Sequence, residues 1–287
     1  MAHGAPEEGC VSRREMRARV VLISGAAGGL GEALCRRYAR AGSLIAAMDR
    51  DAQRLQAMVL ELRNAGAQAL ALPGDITDPA VCQDAVAATL ERFGALDGLI
   101  NNAGISQRSL LRETRIEVIR SVMEVNFFGA LHLTHAALPQ LIARRGFVAA
   151  ISSVAGFSPL IGRTGYSASK HALHGFFDSL RSEVEAVGVG VTLICPSFIR
   201  TGIGAAGLGG DGGVASGPRL TSGGESTAQD VAERIFDAVA ENRRLLLPDR
   251  TSRLAWWFSR LAPGAYARTM KRRLGAEFES PPRPPSY

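Results

Sequence analysis

The amino-acid sequence predicts an α/β fold, a doubly wound parallel sheet of about seven strands with helices on both faces. Three observations carry this. Short apolar runs alternate with helical stretches over about 200 of the 287 residues. The runs lack every-second-residue alternation, so both faces of each strand are covered. A Gly-rich turn joins the first apolar run to the first helical stretch.

The elements follow in order. "RARVVLIS" is a β-branched run that "GAAGGLG" breaks, and "EALCRRYARAG" then has helical periodicity and a Gly stop. "SLIAAMD" is the second strand, and a helical stretch runs from Asp51 to about Asn64. "AQALALPGD" is the third strand. "PAVCQDAVAATLERFG" is a helix with Pro in its first turn. "ALDGLINNAG" holds the fourth strand, and a long helical stretch runs from about Thr114 to Leu141. "GFVAAISS" and "VGVTLICP" are strands on either side of the helix "YSASKHALHGFFDSLRSEVEAVG", and "RRLLLPD" adds a seventh strand at an edge. Right-handed crossovers connect such parallel strands.

Composition bounds the rest. The chain is 46% hydrophobic and 21% charged, ordinary values for a globular protein. No run of 18 uncharged apolar residues is present, so no transmembrane helix is expected. The N-terminus lacks an apolar core before a cleavage site and does not read as a secretory signal. Cys10, Cys35, Cys82 and Cys195 are scattered, as in reduced cytoplasmic proteins. Three regions result: a disordered arm over 1–16, one domain over 17–249, and a basic amphipathic extension with a Pro-rich tail over 250–287. Within the domain, 202–226 is rich in Gly without a period and reads as a mobile loop beside the substrate.

Gly25, Gly29 and Gly31 lie in "SGAAGGLG", where the first strand meets the first helix. Glycines there let a pyrophosphate approach free helix N–H groups, although a tight strand-to-helix turn alone would need them too. Asp49 closes the second strand, 18 positions after Gly31, where a carboxylate can bond both ribose hydroxyls of an adenosine. That charge repels a 2′-phosphate, and the turn lacks a basic residue to attract one, so NAD is favoured over NADP. Arg50 partly offsets this. Asp49 could instead cap the next helix, a role that Asp51 suits better. Asp75 could reach an adenine amino group or serve turn chemistry. Asn102, Ala103 and Gly104 end the fourth strand, where the amide can tie strand ends together and the small residues leave room for a ribose.

Tyr166 and Lys170 in "YSASK" are four apart, on one helical face. "SGAAGGLG", "NNAG", "VNFFG", "ISS", "YSASK" and "CPSFIRT" stand in an order and spacing that resembles the classical short-chain dehydrogenase/reductase family, over roughly residues 17 to 245. The resemblance implies a Rossmann-type fold and hydride transfer between a nicotinamide cofactor and an alcohol or ketone. It makes Tyr166 the general acid/base, Lys170 its tuner and the ribose clamp, and Ser153 the group that positions the substrate oxygen, with Ser152 the alternative. It makes Asn126 a proton relay through water, against a plain satisfied amide. It implies cofactor contacts from the turn, including Leu30, and from Pro196, Ile199 and Thr201. Ser197 stands where the family usually has Gly. The family also implies a homodimer or homotetramer.

His132/His135 and His171/His174 are i, i+3 pairs without the further ligands a metal needs, so no metal is expected. Leu254, Trp257, Phe258 and Leu261 recur at helical spacing among arginines. That segment reads as a packing helix, as a peripheral membrane contact, or as a lid; no nucleic-acid motif accompanies it. The function expected is an NAD-dependent oxidoreductase acting on a hydrophobic steroid-, retinoid- or acyl-like alcohol. The alternatives are an NADPH-dependent carbonyl or 3-oxoacyl reductase and a non-catalytic dinucleotide-sensing interaction protein.

Overall fold

The structure is a computed structural model that describes residues 13–158, 160–200, 206–215, 220–221 and 224–278. Strand β1 is Val20–Ser24, helix α1 Gly29–Arg40, β2 Leu44–Asp49, α2 Ala52–Asn64, β3 Ala69–Pro73, α3 Pro79–Phe93 and β4 Gly98–Asn101. Helix α4 is Ile116–Met123 and α5 Gly129–Ala143; β5 is Phe147–Ile151, α6 Thr164–Val184, β6 Gly190–Ile194, α7 Ala228–Ala240 and β7 Leu245–Leu246. Two further helices, α8 (Arg250–Leu261) and α9 (Pro263–Leu274), follow the sheet.

The seven strands are all parallel, in the order β3-β2-β1-β4-β5-β6-β7. Burial explains the missing alternation. Val21 and Ile23 of β1 pack with residues of α1, α2 and α7, while Leu22 between them packs on the other face with residues of α3, α5 and α6. All three are fully buried. The strand order reverses between β1 and β4, and such a reversal leaves a crevice outside the carboxyl ends of the strands.

Local signals set several boundaries. Asp51 caps α2 through the Arg54 amide, and Asp78 caps α3, whose first residue is Pro79. The stretch expected as one helix over 114–141 starts at Ile116, ends at Ala143 and contains a π-helical segment, Glu124–Phe128. Such segments interrupt α-helices most often near functional sites.

Three regional expectations meet the coordinates. Of the arm, residues 13–16 are docked: the Arg14 amide donates to the Ala240 carbonyl, Arg13 pairs with Asp237, and Met16 is buried in the core. The arginines and the methionine supply what composition averaged over the arm obscures; residues 1–12 lie outside the described residues. Of the Gly-rich loop, 206–215 is a small hairpin held on 106–115 by Arg108–Leu208, Leu208–Ser106 and Arg115–Gly210 backbone bonds. Its glycines serve turns there rather than an absence of structure. Of the extension, α8 and α9 bury Ala255, Tyr266, Met270 and Leu274. The Pro-rich tail from 279 lies outside the described residues.

Candidate active site

The crevice is built from strand ends. Gly25, just past β1, has φ +64°, and a Cβ there would stand 2.7 Å from the Ala103 Cα. A Cβ on Gly31 would strike the Gly25 carbonyl. The turn thus closes against β4 on one side and α1 on the other, and only glycine fits. Gly28 caps α1 without a side chain, and Gly28 and Gly29 are exposed while Leu30 turns into the core. The start of α1 is therefore open, and the first N–H groups of a helix are ones an anion can meet.

Asp49, at the end of β2, accepts from the Ala27 amide (2.9 Å) and the Asp51 amide (3.0 Å). The carboxylate is thus held against the glycine turn itself. Asn102 ties strand ends together as its amide suggests: Nδ2 donates to the Ser24 and Gly25 carbonyls, both at 3.0 Å. The Ser24 hydroxyl accepts from the Asn102 and Ala103 amides. Asp75 is exposed and accepts from the Thr77 amide and hydroxyl, which is turn chemistry.

On the other side of the crevice stands the first turn of α6. The Arg163 side chain does not cap this helix; the Gln107 side-chain oxygen Oε1 accepts from the Gly165 amide instead (3.2 Å). Tyr166 is half-buried. One turn on, Lys170 is buried, and its Nζ donates to the Ile151 carbonyl at 2.8 Å and lies 5.7 Å from the Tyr166 ring centroid. Burial pushes the Lys170 ammonium down to about 8, a shift that Cys195 partly opposes.

Gly104 marks where these groups converge. A Cβ there would lie 3.1 Å from Asn126 Oδ1 and 3.5 Å from Lys170 Nζ, so glycine keeps that space open. Asn126 is buried in the π-helical segment; it accepts from the Ile105 amide and donates to the Ile105 carbonyl and the Ser169 hydroxyl. Its amide is satisfied by protein partners and fixes the backbone beside Gly104 and Lys170. The adjacent serines differ. Ser152 is 2% exposed and donates to the Lys170 carbonyl, whereas Ser153 is 8% exposed and accepts from the Ala155 amide across a short 3-10 turn.

Pro196 follows β6, and its carbonyl accepts from the Val154 amide; Ile199 bridges to Ser226. Thr201 lies outside the described residues. Sequence reasoning missed two residues here. Asp249 accepts from the Ser197 amide (3.1 Å) and hydroxyl (2.8 Å) while forming a capping box with Ser252 at the start of α8. Ser197 thus anchors the turn after β6 to the extension. The "DRTS" capping signal could have found Asp249. Gln107 had no such signal, since its partner is remote in the chain.

His174, one turn after Lys170, sits 3.4 Å from the Cys195 thiol and near the Phe157 ring. Burial pushes it down to about 4, against the pull of Asp178. It folds neutral, and its stabilising contribution is complete above about 6.5 and lost as pH falls toward 4. The expected loss is up to about 3 kcal/mol across that window, and His174→Gln should remove it. Urea midpoints near neutrality and near pH 4 for both forms would show this as a flatter pH dependence in the variant.

Comparison with known proteins agrees in extent with this architecture. A family model, "short chain dehydrogenase", matches residues 19–207. The mouse "Dehydrogenase/reductase SDR family member 7B" is 37% identical over 276 residues, covering 94% of this chain and 85% of the relative. The cattle protein of the same name is 39% identical, covering 93% and 85%. A crystal structure of a short chain dehydrogenase/reductase from Burkholderia phymatum in complex with NAD superposes with a TM-score of 0.76 at 28% identity, covering 86% of this chain and 96% of that one.

Proposed function

The chain belongs to the short chain dehydrogenase family of oxidoreductases, and on that premise we propose that it moves hydride between a nicotinamide dinucleotide and a hydrophobic secondary alcohol or ketone. The observation that carries the reading is the space at Gly104, which Lys170 Nζ and Asn126 Oδ1 border, one helical turn from Tyr166.

The dinucleotide fits the residues present. The glycine turn and the start of α1 would take the pyrophosphate, Asp49 the adenosine ribose, and Asn102, Ala103 and Gly104 the space along β4. Lys170 and Tyr166 would face the second ribose, and Pro196, Ile199 and Thr201 the carboxamide. The bound nicotinamide supplies the hydride acceptor or donor.

The remaining work falls to side chains. As the carbinol carbon loses hydride, its O–H proton passes to the Tyr166 phenolate, while the Ser153 hydroxyl donates to the same oxygen. A free phenol titrates near 10, so working near neutrality needs a fall of about 3 units, or about 4 kcal/mol favouring phenolate. The buried Lys170 cation supplies much of this, strengthened by the low local polarity. The proton then leaves past Lys170 toward water on the Asn126 side.

The apolar wall beside Ser153 supports a steroid-, retinoid- or acyl-like substrate. Phe157 and Leu160 pack there on Val154, Tyr266 and Met270. Cys35, Cys82 and Cys195 are buried free thiols, which supports a reducing, cytoplasmic setting. Phe128, at the end of the π-helical segment, and Ile142, near the end of α5, are exposed and would suit a homodimer or homotetramer contact.

Turnover of a panel of apolar alcohols and ketones, followed by nicotinamide absorbance with both cofactors, tests the reading. No turnover with any of them would favour the non-catalytic sensor. Asp49→Ala is expected to raise KM for NAD about 10- to 100-fold through loss of charge-assisted bonds, and to improve NADP use. Wild-type preference for NADP, with NADP use unaltered in Asp49→Ala, would instead favour the NADPH-dependent carbonyl reductase.

A further inference from the structure

Helix α8 has two opposed faces. Ser252 and Ala255 are buried against the domain, and Trp256 packs edge-on against Phe157 with ring centroids 4.8 Å apart. Leu254, Trp257, Phe258 and Leu261 fall on the opposite side, since each residue turns the helix by roughly 100°. These four are 68%, 63%, 38% and 78% exposed. An apolar stripe with a tryptophan, left open on a folded domain, marks a contact surface.

Charge identifies the occupant. From Arg250 to Ala276 the chain holds seven basic residues and no acidic one, whereas the whole chain carries +6, so the rest is close to neutral. Arg250, Arg253 and Arg260 on α8 and Arg268, Lys271 and Arg272 on α9 are all exposed. A second copy meeting this patch about a two-fold axis would set cation against cation with no acidic partner inside it. A nucleic acid would answer the charge and leave the stripe in water. We propose that α8 and α9 rest on an anionic lipid surface, the stripe entering the headgroup boundary and the arginines and lysine meeting lipid phosphates and carboxylates. No described helix is long and apolar enough to cross a membrane, so the contact is with the surface.

The position of the patch matters for substrate. Helix α8 packs on Val154–Gly156, the turn directly after Ser153. On the reading given under Proposed function, an apolar alcohol would pass from lipid to the crevice over a short path.

The test uses the full chain, without cofactor or substrate, so that its result stands apart from the oxidoreductase reading. Vesicles of phosphatidylcholine, alone or with an equal part of phosphatidylserine, are sedimented with wild type, with a Leu254→Ser/Trp257→Ser/Leu261→Ser variant and with an Arg268→Gln/Lys271→Gln/Arg272→Gln variant. Wild type should bind the mixed vesicles with a blue shift of tryptophan emission, and weaken in high salt. Both variants should bind about tenfold less or weaker still. The substituted positions are exposed, and far-UV circular dichroism checks that both variants remain folded. Equal sedimentation of wild type and the stripe variant overturns the proposal. So does equal binding to neutral and anionic vesicles, or a wild-type dimer that the serine substitutions dissociate.

Discussion

Tyr166→Phe is expected to lower kcat for alcohol oxidation about 10²- to 10⁴-fold, the range that a positioned acid/base contributes. Affinity for dinucleotide should change little. The phenyl ring keeps the packing at the start of α6, where the Gln107 carboxamide and not Tyr166 holds the Gly165 amide. The helix therefore stays in place while the proposed proton acceptor is lost. Single-turnover kinetics with saturating dinucleotide, paired with a binding isotherm, separate these effects. Retention of more than about a tenth of kcat would assign the proton to another group and undo the mechanism. A parallel loss of dinucleotide affinity would make Tyr166 chiefly a binding residue.

Much of this architecture was legible in the sequence because its signals are local. An apolar run between turn residues specifies a strand buried on both faces, and β1 to β6 lie where such runs occur. Asp51 and Asp78 cap helices through amides two or three residues away, which spacing alone can show. The shape of the glycine turn was legible too, since glycine is the residue a tight approach of strand and helix demands.

What stayed hidden depends on contacts between distant residues. Asp249 reaches Ser197 across more than fifty residues, and Gln107 reaches Gly165 across nearly sixty. Neither residue type announces such a partner. The π-helical segment around Asn126 was invisible because its composition is that of the flanking α-helix. The resemblance had pointed to Ser153 over its neighbour, but the different bonding of the two serines was not legible: both follow β5, and the Ser152 hydroxyl donates to the remote Lys170 carbonyl. Composition also misjudged regions where it averages unlike residues. Met16 is a core residue inside a charged arm, and 206–215 is a hairpin inside a Gly-rich loop.

Lys170→Met should expose the conflict between stability and chemistry at this site. Methionine keeps most of the length and apolar volume but brings no charge into the core. Activity at neutral pH is expected to fall about 10²- to 10³-fold, because the phenol loses the cation that favours its ionised form. What activity remains should rise with pH as the phenol returns toward its ordinary value near 10. Stability should move the other way. Burial depresses Lys170 from 10.5 to about 8, so its stabilising contribution is complete only above the unfolded value and is lost as pH falls through 8. Below that the folded protein carries a buried cation at a cost of up to about 3 kcal/mol, partly relieved by the Ile151 carbonyl that accepts from it. The variant should therefore unfold at higher urea than wild type near neutrality, and this gap should close between pH 8 and 10.5 as wild type sheds the proton. A variant both less stable and unchanged in its pH–rate profile would mean that Lys170 serves packing alone. The proton chemistry assigned to its pairing with Tyr166 would then have to come from elsewhere in the crevice.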